Sequence, residues 1–327
     1  MKVSICMITY NHEKFIAHAI EGILMQEVCF DYEIVIGEDI STDRTREIVL
    51  EHEQKHPDRI RVLKRDAAES DSDRARGFGG KQNFLNTLRE CRGEYVALLD
   101  GDDYWTDSHK LQKQVEFLER HPECSLCFHN AEMFYDDGSQ PSVNLRPADQ
   151  KTISTVEDIL AGMVPIPCTV MFRNNLLGEL PESFDSVANG DWMLSVLLAE
   201  HGNVGYLNEV MAAYRIHPGG IWSRLTAQQR LNGHINTYRT IDAHLNFKYH
   251  LLISKMIADF RGQNARSCLD QYYELVKKGE ISNGLSCLWQ ATRVAPLEVL
   301  RPRRITAVLK NGLLGVLRKK SVKTKHA

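Results

Sequence analysis

The chain has 327 residues, 43% hydrophobic and 25% charged, with 21 Gly and 10 Pro; this excludes collagen-like, mucin-like and disordered classes and allows one large α/β domain with an appendage, or two modest domains. Its net charge of −3 hides an asymmetry: Arg301, Arg303, Arg304, Lys310, Arg318, Lys319, Lys320, Lys323 and Lys325 place nine basic groups and no acid in positions 301–327, leaving 31 basic against 43 acidic residues before them. No apolar run approaches the roughly 18 residues that span a bilayer, the first residues turn polar too soon for a secretion signal, and eight scattered cysteines suit a reducing compartment, so a cytoplasmic chain is expected.

Val3 to Ile8 is a nearly continuous apolar run, the pattern of a strand buried on both faces of a parallel sheet. Asn11 is then placed to cap a helix whose apolar residues Phe15, Ile16, Ala19, Ile20, Ile23 and Leu24 recur at helical spacing. A second strand, Glu33 to Ile36, runs into Gly37-Glu38-Asp39, and Ser41 or Thr42 is expected to cap the next helix, with Asp43 in its first turn. Ile60 to Leu63 and Tyr95 to Leu99 give two more strands, the latter ending in Asp100-Gly101-Asp102-Asp103-Tyr104-Trp105. A helix from about Ser108 carries Leu111, Val115 and Leu118 on one face and stops at Pro122. Ser125 to Phe134 follows as a strand, then a loop to Gln150, a helix near 155–163, a strand near 169–172, a helix from Asp191 to about His201 and a strand near 210–214. This alternation predicts βαβ units in a mainly parallel, Rossmann-like sheet flanked by helices over 1–225, followed by a helical region over 226–327. There is no internal repeat.

Ligands of open α/β sheets bind beyond the carboxyl ends of the strands, and here two strands end in acids. Asp100 and Asp102 crowd two carboxylates together, a repulsion that a divalent cation with substrate phosphates would relieve. A solvated Asp/Gly turn is the plain structural alternative.

Ser4 to Asn11, Glu33 to Thr45 (EIVIGEDISTDRT), Asn83, Gly93 to Trp105 (GEYVALLDGDDYW) and Gly190-Asp191-Trp192 occur in the order and spacing of the inverting family 2 glycosyltransferases, which this sequence resembles over positions 1–220. The resemblance implies a GT-A fold, a nucleotide-sugar donor, with a UDP-sugar the default, and Mg2+ or Mn2+. It implies that Thr9 and Asp39 meet the nucleotide base, that Glu13 lies near the base or ribose, and that Asp100 and Asp102 engage ribose and the metal-bound diphosphate. The division of labour within Asp100–Asp103 stays open. Asp191 falls at the position of the family's catalytic base, although a helix N-terminal acid has the same look. His217, after the last core strand, matches a late histidine that reaches the metal in some such enzymes; a structural histidine is equally compatible. Arg215 could meet phosphate, and Trp192 or Trp222 a sugar face.

The expected reaction is transfer to a saccharide or lipid-linked acceptor in cell-surface polysaccharide assembly. The rivals are a sugar-phosphate nucleotidyltransferase and a non-catalytic nucleotide-sugar-binding module. Cys124-x-x-Cys127 lacks the second half of a zinc site, and Gly77-Phe78-Gly79-Gly80-Lys81 lacks the ending of a phosphate loop. Ile305, Val308, Leu309, Leu313, Val316 and Leu317 form an apolar stripe within the basic tail, suited either to a peripheral contact with an anionic membrane surface or to packing on the protein itself. The acidic body and the lack of interleaved aromatics in the tail argue against nucleic acid.

Overall fold

The computed structural model describes residues 1–65, 80–301, 304, 306 and 308. They form two compact units, Met1–Arg224 and Leu225–Ala327.

In chain order the first unit contains β1 (Val3–Thr9), α1 (Ile16–Leu24), β2 (Tyr32–Glu38), α2 (Thr45–Lys55), β3 (Ile60–Lys64), α3 (Lys81–Arg89), β4 (Tyr95–Asp100), β5 (Tyr104–Trp105) and α4 (Lys110–Arg120). There follow β6 (Cys124–Tyr135), β7 (Val143–Asn144), β8 (Ile153–Ser154), α5 (Val156–Leu160), β9 (Met171–Arg173), α6 (Gly190–Ala199), β10 (Asn203–Ile216) and α7 (Ile221–Arg224). The strands make one mixed sheet in the order β3-β2-β1-β4-β9-β6-β10-β5, with β7 on β6 and β8 on β10. β3, β2, β1 and β4 are parallel, β9 is antiparallel to β4 and β6, and β6 and β10 are again parallel.

Apolar runs on β1, β2 and β4 are buried except at the half-buried Ile8, and α1 and α4 cover one face with Ile16, Ile20, Ile23, Leu111, Val115 and Leu118. The other face is keyed by α3, a helix that the sequence reading does not place. Asn83 Nδ2 donates to the Gly37 carbonyl at 2.8 Å, and a Cβ at Gly37 would meet Thr87 Oγ1 at 2.0 Å, so the helix seats directly on β2. The chain leaves β1 toward β2 and β3, then returns to β4 on the other side of β1. The crevice therefore opens where Ile8 and Asp100 pair, at the sheet's switch point.

Two expected caps are corrected. α1 begins at Ile16, and Asn11 instead takes a left-handed φ of 55° and accepts the Thr42 N–H at 2.8 Å. α2 begins at Thr45, where Asp43 rather than Ser41 or Thr42 accepts the first N–H, at 2.9 Å. Polar side chains after β1 and β2 bind each other across the two loops, which delays both helices. The expected strand near 210–214 is the end of the longer, bulged β10.

The second unit holds α8 (Ala227–His244), α9 (His250–Lys277), α10 (Ile281–Val294) and α11 (Pro296–Val299). Thr226 and Gln229 close a capping box at the start of α8. Ala265, Cys268, Leu269, Ala291 and Val299 form its core, and Gly284 lets α10 approach Val276 and Tyr272 of α9. Of the apolar tail stripe, Ile305, Leu309, Leu313, Val316 and Leu317 lie outside the described residues; the Val308 carbonyl accepts the Tyr272 hydroxyl at 3.2 Å.

Candidate active site

The crevice floor is made by the ends of β1 and β4. Gly101 N–H donates to the Ile8 carbonyl at 2.9 Å, and a Cβ at Gly101 would stand 2.7 Å from Thr9 Oγ1 and 2.9 Å from Ile16 Cδ1. Only glycine fits between the acids Asp100 and Asp102, which explains the spacing seen in sequence. β5 then pairs with β10, Ala213 against Tyr104, and this brings the acidic turn beside Arg215 and His217.

The acids of that turn differ sharply. Asp103 is buried: its Oδ1 accepts the Arg215 backbone N–H at 2.8 Å, and burial, with the Asp102 charge, holds its carboxyl well above the usual range. Asp100 faces the crevice, where burial and the charges of Asp102 and Asp191 push it up to about 8. Asp102 is lowered: burial works against ionisation, but the hydrogen bond from His217 and the nearby His12 outweigh it. His217 Nε2 lies 3.1 Å and His12 Nε2 3.7 Å from Asp102 Oδ2. Burial lowers the pKa of His12, opposed in part by Asp102.

Arg215 braces the turn. Its Nε donates to the Asp102 carbonyl at 2.9 Å and its Nη1 to Asp136 at 2.6 Å, while the guanidinium lies 4.5 Å from the Phe15 ring centre and 4.8 Å from that of Phe134. With its donors so engaged, Arg215 holds the turn from behind.

Asp191 stands in the first turn of α6. Burial pushes it up to about 6, against the lowering hydrogen bonds from the Trp192 and Asp191 backbone, and its charge reaches Asp100. The segment before it is tied down from α3: Lys81 Nζ donates to the Asp185 carbonyl at 2.9 Å and to the Val187 carbonyl, and Gln82 Nε2 to Asp185 Oδ1 at 3.1 Å. Lys81 is thus a fastener of this segment. Gly80 caps α3 with a φ of 85°, and Gly77–Gly79 lie outside the described residues.

The structure brings Thr9, Asp39, Asp100, Asp102, His217 and Asp191 around one crevice, but Glu13 turns aside. Its carboxylate accepts the Arg44 N–H at 3.0 Å, at the start of α2, while its own N–H donates to Asp43 at 3.1 Å. Asp39 follows the end of β2, its N–H on the Thr9 carbonyl at 3.1 Å and its Oδ1 paired with Arg65 at 2.9 Å. Thr9 Oγ1 lies 3.3 Å from His12 Nδ1. Sequence reasoning gave no role to His12 and Lys110 and weighed Lys81 only as the end of a declined phosphate-loop pattern; His12 sits one residue beyond the segment that carried the resemblance. Lys110 is fully buried beneath Trp105, with Nζ 3.6 Å from its ring centre, and burial pulls it down to about 7. Cys124 and Cys127 are buried, with thiols pushed up by that burial, in Cys124 to about 11.

Among the described residues two groups of side chains could hold a cation, His12, Asp102 and His217, or Asp100, Asp102 and Asp103; within each, one ligand atom per residue lies within 4.8 Å of the others. The donors suit a divalent ion that keeps open positions for phosphate oxygens.

Residues 4–180 match the glycosyl transferase family 2 description. An uncharacterized protein of Mycobacterium tuberculosis is 35% identical over 229 residues, 70% of this chain and 62% of that protein, so the chain spans less than two thirds of that relative's length. A UDP-Glc:alpha-D-GlcNAc-diphosphoundecaprenol beta-1,3-glucosyltransferase of Escherichia coli is 28% identical, covering 68% of this chain and 79% of the enzyme. The structure of a mannosyltransferase from Pyrobaculum calidifontis, solved with GDP-Man and Mn2+, superposes with a TM-score of 0.60 at 16% identity, over 99% of this chain and 83% of that one. Its likeness extends the match from sequence to the sheet and its flanking helices, the GT-A arrangement. The chain belongs to glycosyl transferase family 2.

Proposed function

We propose that this chain transfers a sugar from a nucleoside-diphosphate donor to a hydroxyl of a saccharide or lipid-linked acceptor, with inversion at the anomeric carbon. The observation that carries the reading is the convergence of Asp100, Asp102, His217 and Asp191 on the crevice at the carboxyl ends of β1 and β4. Thr9 and Asp39 line the end where the base would enter, and Asp102 and His217 the end where the diphosphate would lie. A bound divalent cation supplies Lewis-acid stabilisation of the leaving diphosphate.

Asp191 is the proposed base. Its carboxylate takes the acceptor hydroxyl proton as that oxygen forms its bond to the anomeric carbon, and the sugar–phosphate C–O bond breaks with its electron pair leaving on the diphosphate. A buried carboxylate with a pKa near 6 is ionised at neutral pH yet more basic than a solvent-exposed one, which suits the task. Arg215 and Lys81 act as positioning residues, one behind the acidic turn and the other before Asp191.

The E. coli relative supports a uridine donor, a diphosphoundecaprenol-linked acceptor and a place in surface-polysaccharide assembly. The mannosyltransferase structure keeps a guanosine donor as the second reading and supports Mn2+. Among the described residues no helix is long and apolar enough to cross a membrane. The exposed Leu285, Trp289, Leu297 and Leu300, close in sequence to Arg293, Arg301 and the basic tail, support a peripheral contact with anionic lipid, which flotation with phosphatidylglycerol vesicles tests.

Nucleoside diphosphate release from a panel of UDP- and GDP-sugars, with Mn2+ and with or without lipid-linked acceptors, tests the reaction. Acceptor-dependent release from one donor is expected. Pyrophosphate release from a nucleoside triphosphate would favour the nucleotidyltransferase, and binding without turnover the non-catalytic module.

A further inference from the structure

The turn between α8 and α9 gathers side chains for which sugar transfer has no use. His250, the first residue of α9, stands between two partners: its Nδ1 lies 2.6 Å from Asp242 Oδ2 on α8, and its Nε2 lies 3.3 Å from Ser254 Oγ, one helical turn further along α9. A carboxylate at Nδ1 fixes the ring proton there, which leaves Nε2 to accept the Ser254 hydroxyl. A serine, an imidazole able to take its proton and a carboxylate that orients the imidazole are therefore joined through the ring nitrogens that a nucleophilic triad uses, the serine contact having the longer reach common before substrate binds. Asp242 is 6% exposed, and its Oδ1 has no hydrogen-bond partner among the described residues. The backbone that makes this meeting is strained. Asn246 and Phe247 take left-handed φ angles of 49° and 61°; the Phe247 N–H donates to the Asp242 carbonyl at 2.8 Å, and the Phe247 carbonyl accepts the His250 N–H at 3.2 Å. A left-handed Phe is an outlier, and such residues collect where a site demands a fixed geometry.

We propose that Ser254, His250 and Asp242 form a second site in this chain, one that hydrolyses carboxylic esters of apolar acyl chains. His250 Nε2 takes the Ser254 hydroxyl proton as Oγ bonds to the acyl carbon; the ester C–O bond then breaks, and the departing alkoxide takes that proton from His250. Water attacks the acyl-serine by the same route and releases the carboxylic acid, so no further reactant is needed. Asp242 is a positioning residue that holds the ring and its tautomer. Ser254 and His250 are both exposed, which leaves them open to a substrate arriving from solvent. The acyl class follows from what surrounds them: Phe247, its ring centre 6.1 Å from that of His250, is 61% exposed, and the adjacent Leu251 is 86% exposed, so an acyl chain finds apolar surface beside the reacting oxygen. The positive end of the α9 dipole favours the negative oxygen of the tetrahedral intermediate. The site lies wholly in the second unit and does not depend on the sugar-transfer reading.

The test treats the full chain with a fluorophosphonate, which reacts with activated serines, locates the adduct by peptide mass spectrometry, and follows p-nitrophenol release from p-nitrophenyl butyrate. A single adduct on Ser254 and steady ester turnover are expected. Ser254→Ala, purified in parallel to exclude a contaminating esterase, should lose both. His250→Ala should slow labelling and turnover by about 100-fold or more. Asp242→Asn, which can still bond the ring but favours the other tautomer, should slow both by at least about tenfold at an unchanged Tm, a loss that a merely structural contact would not produce. Absence of the adduct, labelling that His250→Ala leaves unchanged, or labelling without ester turnover would overturn the proposal. The wild type and Ser254→Ala decide it even if Asp242→Asn fails to fold, because Ser254 is exposed and packs into no core.

Discussion

The two sides of the crevice are built from the same kinds of residue and finished in opposite ways. After β1 and β2, Asn11, Glu13, Ser41, Asp43 and Thr45 bind one another's backbone across the loops, so their polarity is consumed internally. After β4 and β10, Asp100, Asp102 and His217 gather around a charge problem that the protein leaves partly unsolved. The loop residues beyond Thr9 and Asp39 on the first side are scaffold and the second side is poised for a ligand; hydrogen-bond saturation separates them where residue type does not. Ile40, beside Asp39, adds a left-handed φ of 56° to the scaffolded side, a conformation that costs a β-branched residue of order 1–3 kcal/mol and marks how tightly that loop is fixed.

Substitutions on each side should therefore fail differently. The largest effect is expected for Asp191→Asn, which should lower kcat by about 10² to 10⁴-fold with donor affinity little changed, measured by initial rates. Next comes Asp102→Asn, which removes the oxygen that both histidines face and should weaken cation binding by about 100-fold or more, read by calorimetry. On the scaffold side, Asn83→Ala removes the hydrogen bond that ties α3 to the Gly37 carbonyl and should cost about 1.5 kcal/mol of stability in urea unfolding, without touching cation affinity. Glu13→Ala removes the acceptor at the start of α2 and should cost about 1 kcal/mol in the same assay. If Glu13→Ala instead raised the donor KM strongly at unchanged stability, the division between scaffold and ligand side would be misplaced. The pH profile sharpens the other side. A base with a pKa of about 6 works only when ionised, so kcat/KM should rise through pH 6, falling about tenfold per unit on the acid side, and that limb should vanish in Asp191→Asn.

Much of this was legible in the sequence, for reasons that also set the limits. Buried parallel strands announce themselves as apolar runs, so β1, β2 and β4, and with them the strand-end acids, could be placed from Val3–Ile8, Glu33–Ile36 and Tyr95–Leu99. Helix caps could not, because Asn11, Ser41 and Thr42 carry the right side chains for capping and spend them on each other. α3 was missed since its buried face is largely polar, Asn83 and Thr87 beside Leu85, so few apolar residues mark it as a helix. The placement of His12 beside Asp102 was invisible for a different reason. Its partner Asp102 lies 90 residues away and His217 a further 115, and only the adjacency of β1 and β4 and the pairing of β5 with β10 bring the three together.

The proposed reaction is one displacement at the anomeric carbon, driven by a single base across the crevice from the diphosphate. The anomeric configuration of the first product formed from an α-linked nucleotide sugar, followed by proton NMR, tests that most directly. A β-linked product is predicted; an α-linked product would contradict it.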